Sequence, residues 1–204
     1  MTTPTSTADP GFHPVRLEFQ GDARLARWRP LAQWLLAVPH FLVARALNAV
    51  RCVLTLVSLF TVLFTRRIPR PVFDFTAMTL RYEWRAVSYG LALHTDYPPF
   101  DLQPAAGDDG RDPHSEVSLD YPEELDRWKP LYKWVLAAPH YVVLAGLFVA
   151  AVLAVLAGTA VVVVTGRYPS GLQRFLAGTY RYLLRVQSYV GLLTDRYPPF
   201  TLAR

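Results

Sequence analysis

The chain has 204 residues, of which 52% are hydrophobic and 18% are charged, and its formal net charge is +5. So apolar a composition argues against an ordinary soluble domain, and the length exceeds what a single membrane anchor needs. The basic residues flank apolar segments, where anionic lipid headgroups attract them, so the positive charge does not indicate nucleic-acid binding. The single cysteine, Cys52, excludes an intrachain disulfide and a cysteine-based metal site.

The N-terminal segment 1–12 is polar and contains Pro4, Pro10 and Gly11. It lacks the basic start, apolar stretch and small-residue cleavage site of a signal peptide. We therefore predict a flexible N-terminus and expect the first apolar helix to act as the insertion signal.

An internal repeat with an offset of 100 positions runs through the chain without a gap from Arg27 to Leu102. It predicts two units, at 13–102 and 115–202, joined by a linker at 103–114 that is rich in glycine, proline and aspartate. The matching pairs include Arg27 and Arg127, Trp34 and Trp134, His40 and His140, Arg81 and Arg181, Arg85 and Arg185, and Tyr97 and Tyr197.

The second unit carries four short motifs: Arg-Trp-x-x-x-x-x-Trp at 127–134, Pro-His at 139–140, Thr-Gly-Arg-Tyr-Pro at 165–169 and Thr-Asp-Arg-Tyr-Pro-Pro-Phe at 194–200. In these motifs the chain resembles the bacterial domain of unknown function 4389 family. The resemblance covers nearly all of both units, although the first departs from it at 66–68 and 94–96. It implies a bacterial membrane protein and no assigned activity.

Each unit contains one long apolar segment. Residues 141–164 carry no charge and would span about 36 Å as a helix, which is enough to cross a bilayer. The counterpart, 41–64, contains Arg45 and Arg51, each of which costs about 2.5–3.5 kcal/mol at a helix centre. Polar residues recur there at three- or four-residue steps, so we expect their shared face to point at protein or water.

Before each apolar segment lies a stretch rich in Trp and Arg, at 27–39 and 127–139. These residue types prefer the headgroup region, and Pro39 and Pro139 would kink or restart a helix. We interpret both stretches as interfacial helices that lead into transmembrane helices.

The segments 72–93 and 172–193 allow two interpretations. Each is long enough to cross a membrane but carries an arginine stripe, so it could lie at the interface or cross with the stripe inside a bundle. Two crossings per unit would place equivalent motifs on the same side, and the positive-inside rule would then put both termini in the cytoplasm. The alternative, one crossing per unit, would make inverted repeats.

The sequence thus predicts an all-α integral membrane protein of two tandem repeats in the bacterial inner membrane, with several crossings. Each repeat would comprise an interfacial helix, a transmembrane helix and a second amphipathic membrane-embedded helix, with short flanking extended segments. The Tyr-Pro-Pro-Phe motif at 97–100 and 197–200 cannot be helical, and we expect its rings to pack against the adjacent strand.

A buried ion pair between Arg51 and Glu83 is predicted, because an antiparallel hairpin turning near 65–71 brings the two to similar depth. The second unit has Ala151 and Leu183 at these positions. The polar stripe could line an ion or solute path or dock a partner helix, but we favour a structural ion pair.

Two further groups could carry chemistry. His40 and His140 could meet across a pseudo-twofold axis and bind haem or a metal, although a structural role capping the helix start is the favoured interpretation. Spacing by four residues places two arginines of each unit on one helix face, where they could grip lipid phosphates or merely snorkel. The four are Arg81, Arg85, Arg181 and Arg185.

No motif of a known catalytic class is present in the sequence, and we predict no cofactor and no enzymatic activity. We expect a non-enzymatic scaffold or accessory subunit that contacts the phospholipid bilayer and a membrane-protein partner or a second copy of itself. The alternative is a small transporter or lipid-binding protein that uses buried arginine stripes.

Overall fold

The computed structural model describes residues 13–105, 107–108, 110 and 112–203. The predicted flexible segment 1–12 lies outside them. The described chain is mostly helical, with the same four elements in the same order in each half. These are β1 (Val15–Phe19), α1 (Arg29–Leu36), α2 (Val38–Thr65) and α3 (Arg70–Gly90), then β2 (Ser115–Leu119), α4 (Lys129–Leu136), α5 (Ala138–Thr165) and α6 (Ser170–Val190).

Proline sets the helix boundaries that the sequence predicted. Helix α1 ends at Leu36 and α2 begins at Val38, with Pro39 in its first turn. Helix α5 begins in the same way around Pro139. A proline is tolerated in a first turn because its missing N–H would have no intrahelical partner there. The expected restart of each helix is therefore confirmed.

The turns that follow α2 and α5 need a left-handed residue. Arg66 ends α2 with a φ of 62°, and Gly166 ends α5 with a φ of 71°. Glycine adopts this region at no steric cost, whereas a residue with a Cβ is strained there. The first unit thus uses a less favourable residue than the second at the same turn.

The two strands form one antiparallel sheet that joins the two units. Leu17 lies opposite Val117, and both are buried, while Arg16 and Glu18 point to the other side and are exposed. This alternation is typical of a sheet with one face on a core and one in water.

Helices α3 and α6 lie between the sheet and the two long apolar helices. In α3, Arg81 contacts β2 through a 3.4 Å bond from Nε to the Val117 carbonyl oxygen, whereas the Gly90 Cα lies against the Phe41 ring of α2. Glu83, two residues after Arg81, is about 200° away around the helix and near Arg51 of α2. The sheet and α2 therefore pack on opposite faces of α3, which gives three layers.

Reciprocal contacts relate the two units. The Leu25 N–H donates to the Gly166 carbonyl oxygen at 3.0 Å, and the Leu125 N–H donates to that of Arg66 at 2.9 Å. The segment just before the first helix of each unit therefore bonds to the turn that follows the long apolar helix of the other unit. Exchanged contacts of this kind are the mark of a twofold axis, and antiparallel neighbouring strands place that axis normal to the sheet.

Two helices, α2 and α5, are long and apolar enough to cross a membrane. The amphipathic helices α3 and α6 do not meet the same criterion. More than half of the residues of α3 are buried, and its Trp84 ring lies 4.5 Å from the Tyr180 ring of α6 at the centre of the molecule.

Replacing Arg66 with glycine should stabilise the protein, because it removes left-handed strain of about 1–2 kcal/mol, part of which is offset by the greater freedom of glycine in the unfolded chain. We expect a net gain of about 1 kcal/mol or less, seen as a higher melting temperature of the purified protein. Gly166→Ala, the matched change in the other turn, should lower it. Equal effects of the two substitutions would contradict the assigned turn geometry.

Candidate functional site

One surface of the molecule is a continuous apolar face made by α1, α2, α4 and α5. The side chains that point outward from α2 and α5 are large and aliphatic or aromatic, and contiguous exposed apolar area on this scale marks a membrane or protein contact. The most exposed are Leu42, Val53, Leu56, Phe60 and Phe64 on α2, and Val142, Phe148, Val149, Leu153, Leu156 and Val164 on α5.

Four of the five tryptophans border this face. Trp28 and Trp34 at α1 are 59% and 55% exposed, and Trp128 and Trp134 at α4 are each 62% exposed. Tryptophan prefers the interface between lipid and water, where its ring is in an apolar environment and its N–H can find a partner. The two segments predicted to be helical do form helices, and their tryptophan side chains point outward.

The polar stripe of α2 faces inward, as the sequence predicted. Asn48, Arg51 and Thr55 are half-buried, and Ser58 is buried. Arg45 is the exception, because it is exposed on the apolar side.

Each Pro-His motif is enclosed by the Tyr-Pro-Pro-Phe motif of its own unit. The His40 ring stacks on the Phe100 ring at 4.2 Å and lies 4.7 Å from the Tyr97 ring. Its Nδ1 is 2.8 Å from the hydroxyl of Tyr82. The rings of the Tyr-Pro-Pro-Phe motif therefore pack on a histidine rather than on the adjacent strand, which corrects that expectation.

The second unit repeats this cluster closely. His140 stacks on Phe200 at 4.3 Å, approaches Tyr197 at 4.8 Å, and bonds to the Tyr182 hydroxyl. Both histidines are fully buried. The structure thus places each imidazole inside its own unit instead of pairing the two for haem or a metal. In the part of the chain that the structure describes, no group of three or more potential metal ligands occurs.

In the first unit, the arginine pair fastens the linker and the sheet onto α3. Arg81 donates to the carbonyl oxygens of Ala105 and Gly107 at 2.8 and 2.7 Å. Arg85 donates to the carboxylate of Asp108 at 2.8 Å, and the carboxylate of Asp112 lies 3.4 Å from its Nε. These side chains are almost completely buried, so the contacts hold the linker in place.

The second unit uses backbone carbonyls in the same way. Arg181 donates to the carbonyl oxygens of Leu17 and Leu202 at 3.0 and 2.9 Å, and Arg185 donates to that of Ala203 at 3.1 Å. Both arginines are buried. The four arginines predicted to bind lipid therefore lie beneath the sheet, away from the apolar face, with their guanidinium groups bonded to protein.

The predicted Arg51–Glu83 ion pair is not formed, although the structure describes both residues. Arg51 instead donates two hydrogen bonds to the Asn48 Oδ1, at 2.9 and 2.7 Å, one helical turn back. Burial raises the pKa of the Glu83 carboxyl above its usual value, and the positive charge of Arg51 opposes this rise in pKa. The two side chains are therefore close enough for their charges to interact, without forming an ion pair.

An ion pair that the sequence did not predict joins a buried lysine to a partly buried aspartate in the second unit. Lys133 of α4 is 2.7 Å from the Asp195 carboxylate and donates to the Thr194 carbonyl oxygen at 2.7 Å. In the first unit Gln33 donates to the carbonyl oxygen of His94 at the same place. The joint change of Gln33 to Lys133 and of Thr95 to Asp195 is the sequence signal that could have revealed the pair.

A family model described as domain of unknown function DUF4389 matches residues 27–101 and, again, residues 127–201. The two matches together cover well over half of the chain. The chain belongs to this family. No curated protein and no solved structure matches it.

The DUF4389 matches coincide with the two tandem copies predicted from the repeat. They include the histidine–aromatic clusters and both arginine pairs of this DUF4389 protein. Strands β1 and β2 fall outside the matched residues, yet each strand accepts a hydrogen bond from an arginine of the opposite unit's last helix. The sheet therefore completes the core of both copies.

Removing one partner of the Lys133–Asp195 pair should destabilise the protein by about 2–3 kcal/mol, because the other charged group loses its charge-assisted hydrogen bond. We expect Lys133→Gln alone and Asp195→Thr alone to lower the melting temperature. The double variant, which installs the residues of the first unit, should recover most of the loss. Additive losses in the double variant would argue against direct coupling.

The histidines outside the apolar helices should make stability depend on pH. Burial, and next the charge of His114, lowers the pKa of His94 to about 4, and burial, then Arg185 and Arg196, lowers the pKa of His13 to about 4. Since the unfolded chain binds these protons near pH 6.5, their contribution is present above pH 6.5 and is lost as the pH falls toward 4.

His114 acts in the opposite direction. Burial opposes its protonation, but hydrogen bonds to Asp96 and to the Gln20 carbonyl oxygen raise the pKa of His114 overall. We therefore expect thermal unfolding scans from pH 7 to pH 4 to show a smaller loss of stability for His94→Asn than for the parent, and a larger loss for His114→Asn. A parallel pH profile for all three proteins would contradict this assignment.

Proposed function

We propose that this DUF4389 protein is a non-enzymatic scaffold or accessory subunit of the bacterial inner membrane that lies within one leaflet. The apolar face of α1, α2, α4 and α5 would contact acyl chains, and α3, α6 and the sheet would form the side that faces water. The observation that carries the proposal is that continuous apolar face, bordered by four exposed tryptophans.

The layered packing favours helices that lie along the membrane over helices that cross it. Helix α2 has 28 residues, about 42 Å, and lies against α3 as far as Gly90, while the sheet covers the opposite side of α3. If α2 stood across the bilayer, the exposed charges of Arg16, Glu18 and Glu116 would lie near mid-depth. Charged residues there cost about 2.5–3.5 kcal/mol each.

The twofold axis supports the same arrangement. Because the axis is normal to the sheet, and the apolar face lies parallel to the sheet, the axis would also be normal to the membrane. Equivalent motifs of the two copies then lie at the same depth on the same side. From the sequence alone, two membrane crossings per unit were needed to place equivalent motifs on the same side. A protein that lies in one leaflet places them on the same side without any crossing.

The polar groups support a structural role over a catalytic one. The buried histidines are held in aromatic clusters, and the buried arginines are bonded to linker carboxylates and to backbone carbonyls. A transporter based on arginine stripes receives no support from these contacts, because the guanidinium groups lie on the side away from the apolar face.

The topology can be tested with single-cysteine variants in a Cys52→Ser background. Arg67 and Arg167 lie in the turns after α2 and α5, Glu18 lies on the outer side of the sheet, and all three are exposed. We would treat spheroplasts and inverted inner-membrane vesicles with a membrane-impermeant maleimide. If the protein lies in the cytoplasmic leaflet, Arg67→Cys, Arg167→Cys and Glu18→Cys should all react in the vesicles and none in spheroplasts.

The other topologies give different patterns. Paired crossings would expose both turns to the spheroplast medium and leave Glu18→Cys protected there. Single crossings would place the two turns on opposite sides. Either pattern would overturn the proposed arrangement, and recovery of the protein in the soluble fraction without detergent would overturn membrane attachment itself.

The accessory role predicts a stable complex in mild detergent. Affinity purification from crosslinked membranes should recover the same membrane-protein partner with the parent and with Arg66→Gly, a variant expected to be well folded. Recovery of the chain without another protein would contradict the accessory role. If it is then recovered as an oligomer, the protein associates with itself instead.

A further inference from the structure

A deep groove opens on the apolar face between α5 and the central helices. Its volume is about 660 Å³, within the range of about 300–1,000 Å³ that is usual for ligand sites. One side is formed by α5 from Tyr141 to Leu156, a length of about 22 Å. The floor includes Trp84 and Val87 of α3 and Leu183 of α6. A single extended acyl chain fits this shape.

The groove exists because the two copies differ. Where the first unit has Arg45, Arg51 and Glu83, the second has Ala145, Ala151 and Leu183, and these three line the groove. Small side chains at these two positions of α5 leave space beside the central helices, whereas on α2 the half-buried Arg51 lies close to Glu83. These three replacements also make the part of the lining that the second copy contributes more apolar.

Polar atoms without partners gather on the floor of the groove. Four neighbouring side chains contribute a buried atom that makes no hydrogen bond within the described residues: the Glu83 Oε2, the Trp84 Nε1, the Thr179 Oγ1 and the Tyr180 hydroxyl. A buried polar group without a partner costs about 1–3 kcal/mol. The four atoms lie just behind the otherwise apolar lining, so a polar ligand group in the groove would reach them by rotation of these side chains.

The charges favour a neutral ligand group. Glu83 alone carries a formal charge among the described lining residues, and the positive charge of Arg51 acts on both Glu83 and Tyr180. The nearby charge of Arg51 offsets the attraction of Glu83 for a cationic head, and Glu83 repels an anionic head. A hydroxyl group can donate to the Glu83 carboxylate and accept from Trp84 or Tyr180, which matches the atoms present.

We propose that this groove binds a neutral, single-chain lipid with a hydroxyl head, its head on the floor at Glu83 and Tyr180 and its chain along α5. The proposal rests on membrane attachment as proposed above, because Phe148 and Leu156 at the opening of the groove are exposed on the apolar face. Monoacylglycerol is the simplest lipid of this class.

The test uses full-length protein in lipid nanodiscs that contain a trace of monoacylglycerol with a photoreactive group in its chain. Phosphatidylcholine with the same photoreactive chain reports ordinary bilayer contact. We expect the monoacylglycerol probe to label peptides that contain the floor residues Trp84, Val87 and Leu183, and the phosphatidylcholine probe to label the outer face of α2 and α5. Labelled positions are read by mass spectrometry.

Three variants sharpen the test. Ala151→Leu narrows the groove, whereas Ala157→Leu adds the same volume to an exposed position of α5 outside it. Glu83→Leu installs the residue of the second unit and removes one ligand hydrogen bond. We expect Ala151→Leu and Glu83→Leu to reduce floor labelling about three- to tenfold, which corresponds to about 0.65–1.4 kcal/mol. Ala157→Leu should leave it unchanged, and melting temperatures check that each variant is folded.

The outcomes separate this proposal from the membrane proposal. Floor labelling that is equal for the two probes, or that is unaffected by both groove variants, would mean ordinary lipid filling and would overturn the site. Stronger displacement of the probe by an alkylamine or a fatty acid than by unlabelled monoacylglycerol would overturn the neutral head. Failure of phosphatidylcholine to label α2 and α5 would instead contradict membrane attachment.

Discussion

The structure depends on the need of α3 and α6 to be buried on two sides at once. One side of each helix is covered by a long apolar helix, and the other side by the two-stranded sheet and the segments that follow each unit. A helix with apolar residues on one side and arginines on the other could not satisfy both sides in water or in lipid alone. The arginines are satisfied because backbone carbonyl oxygens and carboxylates converge on them from the sheet and the linker.

This division also explains the differences between the two copies. The contacts that make the shared core, such as the histidine stacked on phenylalanine, occur in both units. Residues outside that core have diverged: Gln33 with Thr95 became Lys133 with Asp195, and the polar α2 became the apolar α5. The second copy therefore holds its own helix contact by an ion pair, and the small side chains of its α5 leave a groove beside the central helices.

Much of the fold could be predicted from the sequence. The repeat gave the two units, proline marked the starts of α2 and α5, and the absence of charge in 141–164 identified the most apolar helix. The role of the arginines on α3 was harder to predict. An arginine that extends toward lipid headgroups and an arginine that bonds to a carbonyl oxygen have the same spacing along a helix. Which occurs depends on the sheet, whose two strands lie a hundred residues apart.

The predicted ion pair shows a second limit. Register along a hairpin placed Arg51 at the depth of Glu83, and the two are indeed close enough for their charges to interact. Spacing along the chain does not reveal that Asn48, on the same helix, offers Arg51 a nearer acceptor. Whether two buried charged groups bond therefore depends on other hydrogen-bond acceptors nearby. Equal depth in the helix pair predicts that two residues are neighbours, but not that they form a bond.

The exchanged turns have a consequence for how such a chain could have arisen. Leu25 holds the turn at Gly166, and Leu125 holds the turn at Arg66, so neither half can complete its own boundary. A protein with one copy could form the same two bonds by pairing with a second molecule of itself, and would otherwise leave these backbone groups to water. Fusing the two genes would convert that symmetric homodimer into one polypeptide, after which each half was free to specialise.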